Sequence, residues 1–346
     1  MEKVLVTGAT GRLGMNLVKA LVEKGYKVKS FCYDTPAEEN LRKKLREFDT
    51  EIVIGDLSTG KGIEEAVKDI DSVIHCAALM QEDRAPRDKF FDINTKGAFY
   101  LMEGIKGKKI RRFVGITTGA VYDLYTAKPP YNEDNTPTKP LSLYGLCKIL
   151  NEKIYLNYAF VYDIPVIILR PNYILAGSEA AEIWGGSVLL SVMKKYCKDR
   201  RTIFYTEQEH PWQPLEEAIN EGYKFVIPYG PGRKSWSWHT TDVRDVVKGC
   251  ILALETENKE AIGEIFNIAS EKPQKYSEVI PYLCEKLGEK YKEVELPVGW
   301  YVEFDISKAK RLLNYTPEYD YKRMIDDAIR FKNGEDTGVI GPGIPH

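Results

Sequence analysis

The stretch KVLVTGATGRLGMNLVKALVEK, residues 3–24, decides the fold of this chain. Residues 4–7 are mostly β-branched and apolar, which predicts a buried strand, and residues 12–24 carry apolar side chains at helical spacing. The glycines between them follow the spacing GxxGxxG, which lets the backbone approach a pyrophosphate at the amino end of the helix. Strand, turn and helix together predict a dinucleotide site. The predicted cofactor contacts in this turn are Gly8, Thr10, Gly11, Arg12, Leu13 and Gly14.

Short apolar runs alternate with amphipathic ones as far as residue 170. The predicted strands are 3–7, 27–32, 51–54, 72–76, 112–117 and 166–169. The predicted helices are 12–24, 38–48, 63–69, 89–106 and 143–162. Apolar strands separated by helices are typical of a parallel sheet covered on both faces. Right-handed crossovers then give an α/β fold with a doubly wound parallel Rossmann sheet and a smaller, interwoven substrate-binding region.

The pattern changes after Arg170, because residues 173–235 are rich in Gly, Pro, Trp and Tyr. Strand and helix order returns later in the chain, with segments at 236–254 and 264–268 and helices at about 276–288 and 321–332. We predict a dinucleotide-binding domain and a substrate-binding region that ends in a C-terminal tail. The domain comprises residues 1–172 and about 237–270, and the region comprises 173–236 and 271–346.

Acidic residues after the second and third strands bear on the cofactor. Asp34 is placed to accept hydrogen bonds from the adenosine ribose. No arginine follows the second strand to pair with a 2′-phosphate, which favours NAD. Arg12 could reach such a phosphate and favour NADP, so both cofactors stay open. After the third strand, Asp56 could bind the adenine amino group, with Leu57 beside it.

The fourth predicted strand ends in small residues that would let the backbone approach the cofactor. These are Cys76, Ala77 and Ala78, and His75 before them is interpreted as a strand-end residue that is neither metal ligand nor base. Only four histidines are present, without an HxxxH or HExxH spacing, which argues against a metal site.

Tyr144 and Lys148 are four residues apart, so they lie on one face of a predicted helix. A tyrosine phenol has a pKa near 10, and a neighbouring ammonium group lowers it toward the range of a general base. Thr118 follows a central strand, where its hydroxyl could bind the same substrate oxygen as Tyr144. Tyr144, Lys148 and Thr118 are therefore the predicted catalytic residues.

Composition narrows the class of protein. The chain has 346 residues, 43% of them hydrophobic, and a formal net charge of −2, which does not favour binding to nucleic acid or to an acidic membrane. The six cysteines contain no CxxC pair, which suits a reducing compartment. We therefore expect a cytoplasmic enzyme whose partner is a small-molecule substrate.

The chain resembles the extended short-chain dehydrogenases/reductases, also called the NAD-dependent epimerase/dehydratase family. The resemblance spans nearly the whole chain and rests on many motifs in the same order. These are TGATGRLG at 7–14, GDL at 55–57, VIHCAA at 73–78, DINTKGAFYLMEGI around Asn94, TTGAVY at 117–122, YGLCK at 144–148, LRP at 169–171, WHTTDV at 238–243, EIFNIAS at 264–270 and DISKAKRLLNYTP at 305–317.

The resemblance implies roles for individual residues. Thr118, Tyr144 and Lys148 would form the catalytic triad, and Asn94 would support the cofactor site or a proton-relay water. The further cofactor contacts that it implies are Thr117, Pro171 and Tyr173. The family commonly forms homodimers through helices that match residues 89–106 and 143–162.

Departures from the family bear on the substrate. Gly119 and Ala120 stand where sugar-nucleotide dehydratases carry an Asp-Glu pair, so dehydration is not expected. Ser235 replaces an arginine that binds the substrate diphosphate, with Arg233 and Lys234 just before it. Tyr173 stands where sugar-nucleotide epimerases carry an asparagine. Candidate substrate contacts are Met80, Gly119, Ala120, Asn172, Arg233 and Lys234.

The leading hypothesis is hydride transfer at a secondary alcohol or ketone of a carbohydrate-type substrate, by a nucleotide-sugar epimerase or a sugar dehydrogenase. The alternative, favoured by Ser235 and Tyr173, is a carbonyl reductase or hydroxy dehydrogenase on a non-nucleotide small molecule. A silent nucleotide sensor would have no need of Thr118, Tyr144 and Lys148.

Overall fold

The computed structural model describes residues 2–124 and 126–342. The strands are β1 (Lys3–Thr7), β2 (Lys27–Cys32), β3 (Glu51–Ile54), β4 (Ser72–His75), β5 (Arg112–Ile116), β6 (Val166–Pro171), β7 (Ile174–Leu175), β8 (Phe225–Gly230), β9 (Lys234–Ser235), β10 (Ser237–Trp238), β11 (Thr241–Asp242), β12 (Ile265–Ile268), β13 (Gln274–Lys275) and β14 (Tyr291–Glu295).

The helices are α1 (Arg12–Glu23), α2 (Glu39–Arg46), α3 (Ile63–Ala66), α4 (Arg87–Phe91), α5 (Gly97–Ile105), α6 (Leu143–Tyr162), α7 (Glu179–Glu182), α8 (Gly186–Tyr196), α9 (Gln213–Asn220), α10 (Val243–Glu255), α11 (Tyr276–Leu287), α12 (Ser307–Leu313) and α13 (Tyr321–Lys332). Within the described residues, no helix combines the length and the apolar character needed to cross a lipid bilayer.

Seven strands form one parallel sheet in the order β12-β6-β5-β4-β1-β2-β3. Val4 of β1 pairs with Val28 of β2 on one side and with Ser72 of β4 on the other. The strand order reverses at β1, so a crevice opens between the ends of β1 and β4, where ligands bind in such sheets. The predicted doubly wound Rossmann sheet is confirmed.

The sheet separates two hydrophobic cores because successive side chains of a strand point to opposite faces. Val4 and Ile74 belong to the core on the side of α1 and α10. Leu5 and Val73, their neighbours in β1 and β4, belong to the core on the side of α3, α5 and α6. The sheet is thus fixed from both faces, and the loops at its carboxyl edge are held in place.

Two local predictions differ in detail from the structure. The predicted helix at 89–106 is divided into α4 and α5 by a π-helical turn over Asp92–Lys96. The strand expected at the start of 236–254 becomes β10 and β11, which pair with β13 and β7 outside the large sheet. Within the aromatic-rich segment 173–235, Trp184 and Trp236 are buried, so these rings pack a core.

Candidate active site

The glycine turn forms a tight cradle between β1 and α1. Gly8 has a φ of +68°, and a Cβ atom there would lie 2.7 Å from the Cα atom of Ala77. A Cβ atom at Gly14 would lie 2.0 Å from the carbonyl oxygen of Gly8. Both positions require glycine because the backbone passes so closely. The amino end of α1, which begins at Arg12, therefore opens onto the crevice.

A cavity of about 490 Å³ lies at this edge of the sheet. Its lining brings together the predicted residues Gly8, Thr10, Gly11, Arg12, Asp56, Leu57, Cys76, Ala77, Ala78 and Met80. Leu13 and Gly14 are buried beneath the turn. The cradle, the exposed helix end and the cavity's size fit a dinucleotide, whose diphosphate would lie on the N–H groups at the start of α1.

The acid that lines this cavity after β2 is Glu38, whereas the sequence predicted Asp34. The carboxylate of Asp34 is 75% exposed and lies 3.4 Å from Nη2 of Arg42, outside the cavity lining. Glu38 lines the cavity instead, and its Oε2 atom accepts a hydrogen bond from the hydroxyl of Thr10 at 2.9 Å. Burial raises the pKa of Glu38, while the Thr10 hydrogen bond lowers it.

The sequence alone does not single out Glu38, because several acids follow β2 and Asp34 lies nearest to the strand. Asp56 does line the cavity, but its Oδ1 atom already accepts hydrogen bonds from N and Oγ of Ser58, at 2.8 and 2.7 Å. Asp56 therefore shapes its own turn as well as the cavity wall.

Asn94 holds the loop that follows β4. Its Oδ1 accepts from the N–H of Leu79 and its Nδ2 donates to the carbonyl oxygen of Leu79, both at 3.0 Å. The π-helical turn leaves the carbonyl oxygen of Asn94 free to accept a hydrogen bond from Nδ2 of Asn151 at 2.9 Å. Asn94 thereby positions Met80 and Gln81, which line the cavity next to Leu79.

The predicted catalytic helix is α6, and its amino end is capped twice. The hydroxyl of Ser142 accepts from the N–H of Gly145 at 3.0 Å. Oε1 of Glu82, from the loop after β4, accepts from the N–H of Tyr144 at 3.2 Å. The second cap was not predicted, since nothing in the sequence links Glu82 to this helix. It ties the loop that lines the cavity to the catalytic helix.

Tyr144 and Lys148 share one face of α6, as predicted. Nζ of Lys148 lies 5.7 Å from the centre of the Tyr144 ring and donates to the carbonyl oxygen of Ile116 at 3.0 Å. Burial raises the pKa of Tyr144, and burial lowers the pKa of Lys148 to about 8. Thr118 is half-buried at the end of β5, and its hydroxyl oxygen accepts from the N–H of Ala120 at 3.2 Å.

A buried ion pair between Arg170 and Glu152 supports this arrangement. Arg170 donates two hydrogen bonds to the carboxylate of Glu152, at 2.8 and 2.7 Å, and both side chains are almost fully buried. The hydroxyl of Thr117 donates to Glu152 Oε1 at 2.8 Å. Thr117, predicted to contact the cofactor, thus uses its hydroxyl to join β5 to α6 and β6.

The residues after Thr118 are enclosed by a distant part of the chain. A Cβ atom at Gly119 would lie 2.5 Å from Cε1 of Phe304. Asn172 is buried, and its Nδ2 donates to the carbonyl oxygen of His239. Gly119 therefore packs against Phe304 and beside Asn172, while Ala120 remains half-buried.

The remaining predicted residues lie beyond β6. Pro171 ends that strand and is buried, whereas Tyr173 has a φ of +25°, is 48% exposed and packs its ring 4.3 Å from that of Trp238. Arg233 is paired with Glu293 and Glu295 on the sheet of β14, β8 and β9. Lys234 lies over the ring of Tyr301. These two basic residues lie outside the cavity lining.

His75 is buried at the end of β4, and its Nδ1 lies 2.6 Å from the hydroxyl of Thr7. Burial lowers the pKa of His75 to about 3, so the ring is neutral. Across residues 2–124 and 126–342, no group of three or more His, Cys, Asp or Glu side chains could hold a metal ion.

Comparisons with known proteins agree with this geometry. A model of the NAD dependent epimerase/dehydratase family matches residues 4–269. A putative UDP-glucose 4-epimerase of Methanocaldococcus jannaschii is 27% identical over 350 residues, covering 96% of this chain and 100% of that protein.

Two further proteins are similar over almost their whole length. A 4-hydroxy-2-methyl-3-oxo-4-farnesyl-3,4-dihydroquinoline-1-oxide ketoreductase of Stigmatella aurantiaca is 26% identical over 354 residues, covering 99% of each protein. The crystal structure of a short-chain dehydrogenase/reductase superfamily protein from Agrobacterium tumefaciens with bound NAD has a TM-score of 0.79 and 24% identity. It covers 96% of this chain and 98% of that one, and shows the same fold.

Proposed function

This chain belongs to the NAD dependent epimerase/dehydratase family and is an enzyme of its extended short-chain dehydrogenase/reductase type, and on that premise we propose that it epimerises a nucleotide sugar at a secondary alcohol carbon. The observation that carries the proposal is the pairing of Tyr144 and Lys148 on α6, a helix that Glu82 joins to the loop lining a cavity shaped for a dinucleotide. The cofactor would supply a reversible hydride acceptor when bound.

The residues of the chain divide the proton chemistry between them. Tyr144 would take the proton of the substrate hydroxyl and later return it. Because burial raises the pKa of this phenol, its ionised form needs a positive charge nearby, and the ammonium group of Lys148 supplies it. The hydroxyl of Thr118 would donate to the same substrate oxygen while its own oxygen continues to accept from the N–H of Ala120.

We propose NAD, rather than NADP, as the cofactor. The carboxylate of Glu38 lines the cavity beside Thr10, where it would accept hydrogen bonds from a ribose diol and repel a 2′-phosphate. Arg12, the residue that could favour NADP, is already paired with Glu179. The NAD bound to the Agrobacterium tumefaciens protein supports the same choice.

The nucleotide-sugar substrate is supported by the full-length similarity to a putative UDP-glucose 4-epimerase. Dehydration is disfavoured, because Phe304 fills the space that a side chain at position 119 would need. No acid therefore stands next to Thr118 for the elimination of water.

We further propose that residues 173–236 and 271–346 form the substrate-binding region.

A second candidate is ketone reduction on a small molecule without a nucleotide. Arg233 is committed to Glu293 and Glu295, and Ser235 has no charge to bind a diphosphate. Tyr173 offers a half-exposed aromatic ring instead. The similarity to a ketoreductase over 99% of both chains supports this alternative.

We also propose a homodimer formed through α5 and α6. Large apolar side chains remain exposed on these two helices, and a second copy of the chain would bury them. They are Phe99, Leu146, Phe160, Val161 and Tyr162.

A substrate screen tests the proposed function. The nucleotides that copurify are released and identified, and nucleotide sugars, free sugars and simple ketones are then incubated with the protein. An epimerase converts a nucleotide sugar without a net change in reduced cofactor. Stoichiometric consumption of added cofactor with a ketone, and no conversion of any nucleotide sugar, would establish the second candidate instead.

A further inference from the structure

An ion pair joins the glycine turn to the segment that follows β6 and β7. Nη2 of Arg12 lies 2.5 Å from Oε1 of Glu179, and the two side chains are only 15% and 21% exposed. Oε2 of Glu179 accepts a hydrogen bond from the N–H of Ala176 at 2.9 Å. Both carboxylate oxygens are therefore engaged, and the pair has a defined geometry.

One member of the ion pair, Arg12, lines the proposed cofactor cavity. Arg12 is the first residue of α1 and lines the cavity, whereas Glu179 is the first residue of α7 in the proposed substrate-binding region. The pair therefore connects the turn that would hold the diphosphate to the other side of the crevice. A dinucleotide lying along the turn would pass beneath or beside this contact.

Arg12 also keeps one hydrogen-bond donor unused. Its Nε atom is buried and has no hydrogen-bond partner among the residues that the structure describes. Buried donors in proteins are nearly always satisfied, and a guanidinium N–H is well suited to a phosphate oxygen. Within the described part of the chain, Nε therefore lacks a hydrogen-bond partner of its own while Nη2 holds Glu179.

A second contact holds the amino-terminal part of α1, between Asn16 and the C-terminal segment. Asn16 donates from Nδ2 to the carbonyl oxygen of Ile340 and accepts at Oδ1 from the N–H of Ile340, both at 2.8 Å. The same Nδ2 atom donates to the carbonyl oxygen of Arg12 at 2.8 Å. The C-terminal segment thus holds the helix turn from which Arg12 projects.

We propose that the Arg12–Glu179 pair is a gate on cofactor exchange, which closes over the bound dinucleotide and keeps it in place between turnovers. The inference rests on the proposed function, since it takes the cavity as the dinucleotide site. Retention suits epimerisation, because the same cofactor returns the hydride to the same substrate molecule.

Stopped-flow fluorescence of NADH, with excess NAD as a chase, measures association and release rates. Glu179→Gln removes the negative charge and so weakens the contact with Arg12, and it should raise both rates about tenfold, the effect of losing the charge assistance of one hydrogen bond from a barrier, and change Kd less than about threefold. Glu182→Gln, an exposed acid of the same helix, is the matched control and should leave both rates unchanged. Glu179→Asp, which keeps the charge but shortens the side chain, should behave like Glu179→Gln.

The outcomes separate this inference from the proposed function. If the wild-type protein, freed of any nucleotide that copurifies with it, binds neither NADH nor NADPH, the proposed function is wrong. If NADH binds but its release rate is the same in the wild type and both Glu179 variants, the gate does not exist. Slower release in Glu179→Gln would also overturn the gate, because it would mean that Glu179 only neutralises the charge with which Arg12 attracts the cofactor. Thermal melting verifies that each variant is folded.

Discussion

The ammonium group of Lys148 lies 5.7 Å from the centre of the Tyr144 ring, one turn along the same helix. Burial opposes the charged form of each group, since it raises the pKa of the phenol and lowers that of the amine to about 8. A phenolate and an ammonium ion formed together would stabilise each other in this environment. The pair is therefore suited to hold a proton that moves to and from a substrate.

Tyr144→Phe removes the phenol but retains the ring. We expect turnover to fall at least about 100-fold, the usual contribution of a general acid–base, while dinucleotide binding persists. Substrate conversion and NADH binding are measured on the same preparation. Tyr291→Phe, an exposed tyrosine on β14, is the control. Unchanged turnover in Tyr144→Phe would contradict the assigned mechanism.

The depressed pKa of Lys148 predicts a pH dependence of stability for the cofactor-free protein. The pKa falls from 10.5 to about 8 on folding because the amine is buried, so the unfolded chain binds more protons between these values. The contribution of Lys148 to the free energy of unfolding is therefore fully present above pH 10.5 and is lost as the pH falls through 8. Relative to Lys148→Met, the wild type should gain about 2 kcal/mol of unfolding free energy between pH 7 and pH 9.5.

Urea unfolding of both proteins at the two pH values measures this difference. Lys153→Met, a substitution on the exposed side of α6, serves as the control and should show the wild-type pH dependence. A constant difference between the wild type and Lys148→Met would mean that Lys148 has an ordinary pKa in the folded protein.

The parts of the site that could be predicted depend on residues close together in the sequence. The glycine turn needs only its own spacing and the flanking strand and helix, and Tyr144 and Lys148 are one helical turn apart. Asn94 was assigned from the resemblance alone. Its contact with Leu79 depends on a π-helical turn that no periodicity indicates.

The parts that could not be predicted arise from contacts between distant segments. Glu38 competes with Asp34 and Glu39 for the same role, and only the path of the chain after β2 decides among them. Nothing near Gly119 indicates that Phe304 covers it. Glu82 and Glu179 look like ordinary surface acids in the sequence, although Glu82 caps α6 and Glu179 pairs with Arg12 of the glycine turn.

The contact between Gly119 and Phe304 predicts the effect of a single methyl group. In Gly119→Ala the added Cβ would lie 2.5 Å from Cε1 of Phe304, so the ring has to move. We expect a loss of roughly 1 to 3 kcal/mol of unfolding free energy, as is usual for overpacking. Gly185→Ala is the control, since its Cβ would meet its nearest atom at 3.6 Å.

Phe304→Leu, combined with Gly119→Ala, completes the test of that contact. The smaller side chain should make room for the methyl group, so the double variant should be more stable than the sum of the two single effects predicts. Additive losses would show that the two positions do not constrain each other.

The proposed dimer predicts a strong effect of Phe160, which is 87% exposed on α6. Phe160→Glu places a charge where the second copy would bury an aromatic ring, a change that disfavours association by several kcal/mol. Light scattering after size-exclusion chromatography should show a monomer for this variant and a dimer for Leu287→Glu, an exposed position on α11. A monomeric wild type would contradict the proposed dimer.

The preference for NADH over NADPH tests whether Glu38, which lines the cavity, or the predicted Asp34 binds the ribose. Glu38→Gln keeps an oxygen that can accept the hydrogen bond from Thr10 but removes the charge that would repel a 2′-phosphate. The ratio of NADPH to NADH affinity should therefore rise about tenfold, which corresponds to 1.4 kcal/mol of lost repulsion. Asp34→Asn should leave the ratio unchanged, because the Asp34 carboxylate is 75% exposed and directed toward Arg42. Fluorescence titration of both reduced cofactors measures the ratio, and the reverse result, with the effect at Asp34 alone, would mean that the ribose lies over the loop directly after β2.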